Sequence, residues 1–183
     1  MTRNPQDGRN AGHQIRTLIS EEAVRARVAE LGEQLTRDYR GKDLAVLGVL
    51  KGSFLFMADL VREIDLPLSV EFLGVSSYAG GSESSGEVKV TLDLNNPIAG
   101  RHVLVAEDIV DTGLTLDYVL RMLENRKPAS LKLCCLLDKP ERRQITINPD
   151  YVGFTIPNEF VVGYGLDLAE RYRNLPYIAV YTP

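Results

Sequence analysis

The fold of this chain is decided by residues 101–116, which read RHVLVAEDIVDTGLTL. Val103 to Ala106 form an unbroken apolar run, which is typical of a central strand in a parallel sheet that is buried on both faces. A polar turn opened by Asp111 follows, and from Leu116 onward apolar residues recur at helical spacing. The stretch therefore predicts a strand, a turn and a helix in succession, the repeating unit of an α/β fold.

The turn between this strand and this helix has the composition of a phosphate-binding site. Gly113 allows the backbone to approach an anion closely, and the hydroxyls of Thr112 and Thr115 add hydrogen-bond donors. Backbone N–H groups at the start of the helix and the positive end of its dipole both point at the turn. The turn therefore predicts a site for a phosphate group.

Two carboxylates, Glu107 and Asp108, stand between the strand and the turn. Side by side they would repel a bare polyphosphate, so they need hydroxyl groups or a cation to face. The 2′- and 3′-hydroxyls of a ribose are suitable, since each carboxylate can accept hydrogen bonds from them. The residues predict a phosphorylated ribose as the ligand. The alternative is that both acids are merely solvated, as most surface carboxylates are.

The size and charge of the chain limit the number of domains and the kinds of partner that we expect. Its 183 residues, 44% of them hydrophobic, suit one globular domain with a full core. The net charge of -4 argues against nucleic acid as a main partner, because no basic excess is available. An anionic substrate would have to be held by local donors and a metal.

The cysteines and the N-terminus bear on where the protein works. Cys134 and Cys135 are adjacent in an apolar run, so in a strand they would point to opposite faces and be poorly placed to pair. Free thiols fit a reducing compartment, and we expect a cytoplasmic protein. The polar N-terminal residues lack the apolar core of a signal peptide, and no apolar run approaches the ~20 residues of a membrane span, so no membrane partner is expected.

Three further segments could belong to the same site. A Lys-Gly turn at Lys51 follows the predicted strand Leu44–Leu50, and Lys139 follows the predicted strand Leu131–Leu137. The carboxyl ends of parallel strands are where α/β sheets bind ligands, although a solvated lysine is the plain alternative in each case. Residues 76–86 are small and polar with three glycines, and they predict either a disordered surface insert or a lid over an active site.

The stretch 101–116 resembles the phosphoribosyl-diphosphate motif of the type I phosphoribosyltransferases, which consists of an apolar strand, two acids, two apolar residues and an acid-Thr-Gly-x-Thr turn. The variant EDIVDTG is similar to that of the 6-oxopurine branch, the hypoxanthine-guanine phosphoribosyltransferases. Weaker motifs in the expected order extend the resemblance from about Ser20 to Tyr181. It implies the α/β fold of that family, with a central, mostly parallel β-sheet flanked by helices and a small C-terminal hood, to which N-terminal residues could contribute.

The resemblance also implies how the chain is divided. Residues 1–183 would form a single domain, with a flexible tail at 1–15, a mobile catalytic loop at 76–87 and a base-binding hood at 139–175. Ser77 and Tyr78 match the Ser-Tyr pair of the family's lid. A non-proline cis peptide bond is implied between Leu50 and Lys51.

The activity that the resemblance implies is transfer of a 5-phosphoribosyl group from phosphoribosyl diphosphate to N9 of hypoxanthine or guanine. Mg²⁺ would bridge the diphosphate and the ribose hydroxyls. Asp111 would be the catalytic proton-transfer group, hydrogen-bonded to N7 of the base. Lys139 would read the 6-oxo group, which accepts hydrogen bonds where a 6-amino group donates them.

Each candidate residue is thereby assigned a ligand. The ribose and its 5′-phosphate would be held by Glu107, Asp108, Asp111, Thr112, Gly113, Leu114 and Thr115. The diphosphate would be held by Lys51, Gly52 and Arg173. The purine would be bound by Ile109, Lys139, Phe160, Val161 and Asp167, with Phe160 stacking on the base. The metal ligands would be Glu107, Asp108 and Asp167.

Two other functions and the state of assembly stay open. A xanthine- or adenine-preferring enzyme would carry the same motif, although Lys139 disfavours adenine. A nucleotide-sensing regulator of this fold that binds RNA would need a basic face, which an acidic chain does not favour. Leu114, where some family members have Lys in the phosphate turn, indicates a bacterial-type enzyme. A homodimer or a homotetramer is expected.

Overall fold

The computed structural model describes residues 14–77 and 88–183, and these form nine strands and three α-helices. The strands are β1 (Gln14–Ile19), β2 (Leu44–Leu50), β3 (Leu68–Ser77), β4 (Val88–Leu92), β5 (His102–Val110), β6 (Ser130–Asp138), β7 (Tyr151–Thr155), β8 (Val161–Val162) and β9 (Ile178–Thr182). The helices are α1 (Glu21–Asp38), α2 (Phe54–Glu63) and α3 (Leu114–Glu124), and a 3₁₀ turn, Pro140–Arg142, follows β6.

The main sheet has six strands in the order β4-β3-β2-β5-β6-β7. Five of them run parallel, and β4 pairs antiparallel with β3 at one edge. β5, which contains the apolar run of the stretch 101–116, lies in the middle of the sheet and is largely buried. This confirms the predicted α/β fold with a central, mostly parallel sheet.

Helices cover both faces of the main sheet. The central strands alternate their side chains between two apolar cores, one packed with α1 and α2 and the other with α3. Cys134 belongs to the first core and Cys135 to the second, so the two thiols point to opposite faces as predicted, and both are free. In the part of the chain that the structure describes, no helix is long and apolar enough to cross a membrane.

Local sequence explains where the helices begin. Ser20 is the N-cap of α1, and its hydroxyl accepts a hydrogen bond from the N–H of Ala23 at 3.2 Å. α3 begins at Leu114, two residues before the start that the apolar spacing indicates. The reason is Gly113, whose φ of +87° turns the chain directly into the helix.

The hood is a second sheet of three antiparallel strands in the order β1-β9-β8. The strands at two places differ from the boundaries that the resemblance implies. The tail does not reach residue 15, because Gln14 and Ile15 pair with β9, and residues 1–13 lie outside the described part of the chain. The hood extends beyond 139–175: β7 within that range belongs to the main sheet, whereas β9 and the N-terminal strand β1 complete the hood. Most side chains of β1 are exposed, so no apolar run marks this strand in the sequence.

Candidate functional site

Three of the predicted site segments meet at one edge of the main sheet. β2, β5 and β6 are parallel neighbours, so the residues that follow them, Lys51, Asp111 and Lys139, lie at the same carboxyl-terminal edge. A cavity of about 250 Å³ opens there, lined by residues of β5, the phosphate turn and α3. A cavity of about 540 Å³ lies between α1, α2 and Tyr164, and it shares no lining residue with the first. We therefore place the candidate site at the smaller cavity, where the predicted chemistry is.

The phosphate turn has the predicted strand-turn-helix form. The Gly113 carbonyl accepts the N–H of Asp117 at 2.8 Å in the first turn of α3. The loop after β6 supports the turn, because the Thr112 carbonyl accepts the N–H groups of Gln144 at 2.9 Å and Ile145 at 3.3 Å. The N-terminal end of α3 lines the cavity, and its dipole has the orientation that suits an anion.

The two acids at the end of β5 have carboxyl groups close enough to interact, but they lie against different segments. Glu107 lines the cavity of the phosphate turn, whereas Asp108 faces the turn after β2. Glu107 Oε2 is enclosed and has no hydrogen-bond partner among the described residues. Burial, and then the charge of Asp108, raise the pKa of Glu107 well above its ordinary value. A hydroxyl group or a cation would supply the partner that this carboxylate lacks.

Gly52 lies where the turn after β2, the end of β5 and the loop at Gly165 come close together. A Cβ at this position would lie 1.6 Å from Oδ2 of the buried Asp108. A Cβ on Gly165, whose φ is +100°, would lie 2.0 Å from the Gly52 carbonyl oxygen. The peptide bond between Leu50 and Lys51 is cis, as the family resemblance implies. Only glycine fits at position 52 without movement of the Asp108 carboxylate.

The pKa of Asp108 depends on its burial and on the groups around its carboxyl. Burial raises the pKa of the Asp108 carboxyl above its ordinary value. A hydrogen bond from the N–H of Ile109, at 2.8 Å, and then a hydrogen bond with the Glu107 carboxyl oppose that rise, and the positive charge of Arg173 adds a smaller effect in the same direction. Asp108 is therefore tied electrostatically to one of the residues predicted to bind the diphosphate.

Arg173 and Asp167 pair with each other beside this turn. Arg173 Nη2 lies 2.8 Å from Asp167 Oδ1, and Arg173 Nη1 donates to the Gly165 carbonyl at 2.7 Å. The other oxygen of Asp167 accepts the N–H of Glu170 at 2.8 Å. Both oxygens of Asp167 are thus engaged, and one of them pairs with Arg173, a residue predicted to bind the diphosphate.

The predicted metal ligands Glu107, Asp108 and Asp167 are not gathered into one cluster. Within residues 14–77 and 88–183, no three His, Cys, Asp or Glu side chains lie close enough together to hold a metal ion. The carboxylates at 107 and 108 are nevertheless the hard oxygen ligands that Mg²⁺ prefers, and Mg²⁺ is commonly held by one or two carboxylates together with substrate phosphates. Glu107 and Asp108 therefore suit a Mg²⁺ ion that binds together with the phosphates of a substrate.

Lys139, which directly follows β6, is buried, with 6% of its surface exposed. Its ammonium donates to the Glu159 carbonyl at 2.5 Å, and its backbone N–H donates to the Val110 carbonyl at 3.0 Å. Burial lowers the pKa of Lys139, and the nearby charge of Asp111 opposes that change. Because an ammonium has three donors, the bond to Glu159 leaves hydrogens for an acceptor on a ligand.

The remaining purine candidates lie along the hood and the end of β5. Phe160 is 52% exposed and meets Tyr181 edge-on, with ring centroids 6.2 Å apart, so much of its ring is available for stacking. Val161 is buried in β8, and Ile109 lines the cavity of the phosphate turn.

Two arginines that brace the phosphate turn are not predicted from the sequence. Arg143 donates from Nη1 to the carbonyls of Val110 at 2.8 Å and Asp111 at 2.7 Å, and from Nη2 to the Asp138 carboxylate. Arg142 donates from Nε to Asp111 Oδ1 at 3.1 Å. The only signal in the sequence is two adjacent arginines just after a strand end, a pattern that solvated residues also produce. The pair links the strand end that carries Lys139 to the turn that carries Asp111.

Only the first two residues of the predicted lid, Ser76 and Ser77, belong to the described part of the chain. The backbone of Ser77 ends β3 and pairs with Val88 at the start of β4. Tyr78 and the rest of the segment to residue 87 lie outside the described residues.

Known proteins resemble this chain over most of its length. The model of the phosphoribosyl transferase domain matches residues 16–169. A hypoxanthine phosphoribosyltransferase of Haemophilus influenzae is 53% identical over 169 residues, which are 91% of this chain and 94% of that protein. The bifunctional protein TilS/HprT of Listeria innocua is 54% identical over 168 residues, and there the match covers 92% of this chain but 26% of the longer protein.

The fold has the same relatives. The crystal structure of a hypoxanthine phosphoribosyltransferase from Staphylococcus aureus superimposes with a TM-score of 0.88 at 52% sequence identity, covering 91% of each chain.

Proposed function

The chain belongs to the phosphoribosyltransferases, in the family of the hypoxanthine and hypoxanthine-guanine enzymes, and from that membership we propose that it is a purine salvage enzyme. It transfers 5-phosphoribosyl from phosphoribosyl diphosphate to N9 of hypoxanthine or guanine, giving IMP or GMP plus diphosphate. The names of its relatives favour a 6-oxopurine over the alternative substrates, and they offer no support for an RNA-binding regulator.

One observation carries this proposal: the phosphate turn at the end of β5 and the buried ammonium of Lys139 at the end of β6 lie side by side. The two segments are joined directly, because the N–H of Lys139 donates to the Val110 carbonyl at 3.0 Å and Arg143 bridges both. A phosphorylated sugar bound at the turn would therefore hold its C1′ atom near a base read by Lys139. The site joins a sugar phosphate and a purine.

The chain's own residues account for the chemistry of transfer. As the bond from C1′ to the diphosphate breaks and the bond to N9 forms, positive charge builds on the ribose ring. The carboxylates Glu107 and Asp108 stabilise that charge, since both lie at the end of β5 beside the turn. Asp111 takes the proton that the base loses from N7. Lys51 and Arg173 hold the departing diphosphate.

Mg²⁺ is the proposed cofactor, held by carboxylate oxygens of Glu107 or Asp108. The enclosed Oε2 of Glu107, which has no partner among the described residues, supports this role. When bound, Mg²⁺ would neutralise charge on the diphosphate and orient it.

The two cysteines bear on the location of the protein, and exposed apolar residues of β3 and β4 bear on its assembly. Both cysteines are free and buried, and burial raises the pKa of the Cys134 thiol to about 12, so we propose the reducing cytoplasm as its compartment. Val70, Phe72 and Leu92 expose apolar surface on the β3–β4 pair, which supports a homodimer or a homotetramer.

The test of the proposed function is an assay of the purified chain with phosphoribosyl diphosphate, Mg²⁺ and hypoxanthine, guanine, xanthine or adenine in turn. Chromatography of the products should show IMP from hypoxanthine or GMP from guanine, with one diphosphate released per nucleotide. No nucleotide from any purine would refute the proposal, and conversion of adenine alone would refute the assignment of the base.

A further inference from the structure

Glu170 lies between the two cations that we assign to the diphosphate. Its carboxylate oxygens, Oε1 and Oε2, are each 3.2 Å from the Nζ of Lys51. Oε2 is also 3.4 Å from Nη2 of Arg173. A carboxylate therefore occupies the position where two positive groups would meet the leaving group.

The local backbone presents Glu170 at this position. The residue has a φ of +64° and its N–H donates to Asp167 Oδ2 at 2.8 Å, so the loop from Asp167 to Arg173 turns the carboxylate back toward Lys51. Its side chain is 65% exposed, so it can swing into solvent without disturbing the core.

We propose that Glu170 is an internal counter-ion of the diphosphate site, displaced when the donor binds and returned to Lys51 and Arg173 when diphosphate leaves. This inference rests on the proposed function, which gives those two cations their ligand. Arg173 stays anchored by Asp167 and Gly165 when Glu170 leaves, so one half of the site is preformed. Lys51 is 68% exposed, and Glu170 is the group that holds its ammonium in place before the donor arrives.

Competition from Glu170 should weaken the binding of the donor to Lys51 and Arg173 without preventing it. A solvent-exposed ion pair is weak, so its loss should change donor affinity by about two- to fivefold and no more. Glu170→Gln keeps the size of the side chain and removes the charge. We expect this variant to lower the KM for phosphoribosyl diphosphate and the inhibition constant of diphosphate by about two- to fivefold each. The KM for hypoxanthine should not change.

Glu30→Gln is a matched control. Glu30 is 64% exposed and pairs with Arg27 at 2.6 Å on α1, so this variant loses the same charge from a similarly exposed carboxylate outside the site. Glu30→Gln should leave unchanged the KM for phosphoribosyl diphosphate, the inhibition constant of diphosphate and the KM for hypoxanthine. An unchanged or increased donor KM in Glu170→Gln would overturn the proposal, because Glu170 would then support the site and not compete for it.

Calorimetric titration with inorganic diphosphate separates this inference from the proposed function, because it needs no turnover. Tighter binding of diphosphate by Glu170→Gln than by the wild-type protein supports the inference even if no purine is converted. Equal or weaker binding in a protein that does convert hypoxanthine refutes the inference and leaves the proposed function standing.

Discussion

Replacing Glu107 with Gln should make the free protein more stable and the enzyme less active. Glu107 Oε2 is enclosed without a partner among the described residues, and burial raises the pKa of this carboxyl well above its ordinary value. The folded protein therefore binds this proton more tightly than the unfolded chain, where the pKa is about 4.3. Stability from the protonated form is present at acid pH and is lost as the pH rises from about 4.3 through the folded pKa.

The size of the effect follows from the environment of the carboxylate. Leaving a buried polar group without a partner costs about 1–3 kcal/mol, and Glu107 is only partly buried, so we expect about 1–2 kcal/mol at pH 8. In a chain of this length, 1 kcal/mol corresponds to about 2–4 °C in Tm. Glu107→Gln should therefore raise the Tm by about 2–8 °C at pH 8.

Thermal melts of the ligand-free protein at pH 5 and pH 8 measure this effect, with Glu30→Gln as the control for loss of an exposed charge. The gain in Tm should be larger at pH 8 than at pH 5 in Glu107→Gln and absent from the control. The transfer rate should fall by about 10- to 100-fold, because a charged acceptor for the ribose hydroxyls or the metal is lost. A lower Tm at pH 8, or a gain that does not depend on pH, would refute the reasoning.

Two further substitutions test the donor site and the proton transfer. Asp111→Asn should lower kcat by ~10²-fold or more and leave the donor KM nearly unchanged, as measured by steady-state kinetics beside Asp117→Asn, which removes a carboxylate from the first turn of α3. Near-normal turnover would exclude Asp111 from proton transfer. Gly52→Ala should raise the donor KM by about tenfold or more, because its Cβ would lie 1.6 Å from Asp108 Oδ2 and would force that carboxylate to move. Gly41→Ala, at an open position with φ +75°, is the control, and equal kinetics in the two variants would show that the contact at Asp108 has no functional effect.

The features predicted best from the sequence are those that depend on local pattern. The apolar run before Glu107 predicts a central strand, and the Ser20 cap predicts the start of α1. The carboxyl ends of parallel strands share an edge, so the placement of Lys51 and Lys139 at one edge of the sheet follows once the strands are identified. Local pattern therefore predicted the sheet and the place of the site.

The features missed depend on contacts between distant parts of the chain. β1 is held by its pairing with β9 at the other end of the sequence, and its own side chains carry little apolar signal. The contact of Glu170 with Lys51 and that of Gly52 with Asp108 also join segments far apart in sequence. Arg143 binds backbone carbonyls, which leave no trace in residue identity. The cis peptide bond at Leu50 was accessible only through the family resemblance.

The most direct test of the central claim, that this site reads a 6-oxopurine, is kcat/KM for hypoxanthine, guanine and adenine in the wild-type protein and in Lys139→Gln. The ammonium of Lys139 is buried, so adenine would leave it facing a donor, and such a site rejects the wrong base by as much as ~10⁴–10⁵. The wild type should therefore prefer hypoxanthine or guanine strongly.

Glutamine offers both an acceptor and a donor, so in Lys139→Gln the 6-oxopurines should lose kcat/KM while adenine loses nothing or gains slightly. Lys132→Gln, on the same strand but paired with Asp150 at 2.6 Å, should leave the selectivity unchanged. Equal losses on all three bases would contradict the role of Lys139 in reading the base. A wild-type protein that already prefers adenine would contradict the account as a whole.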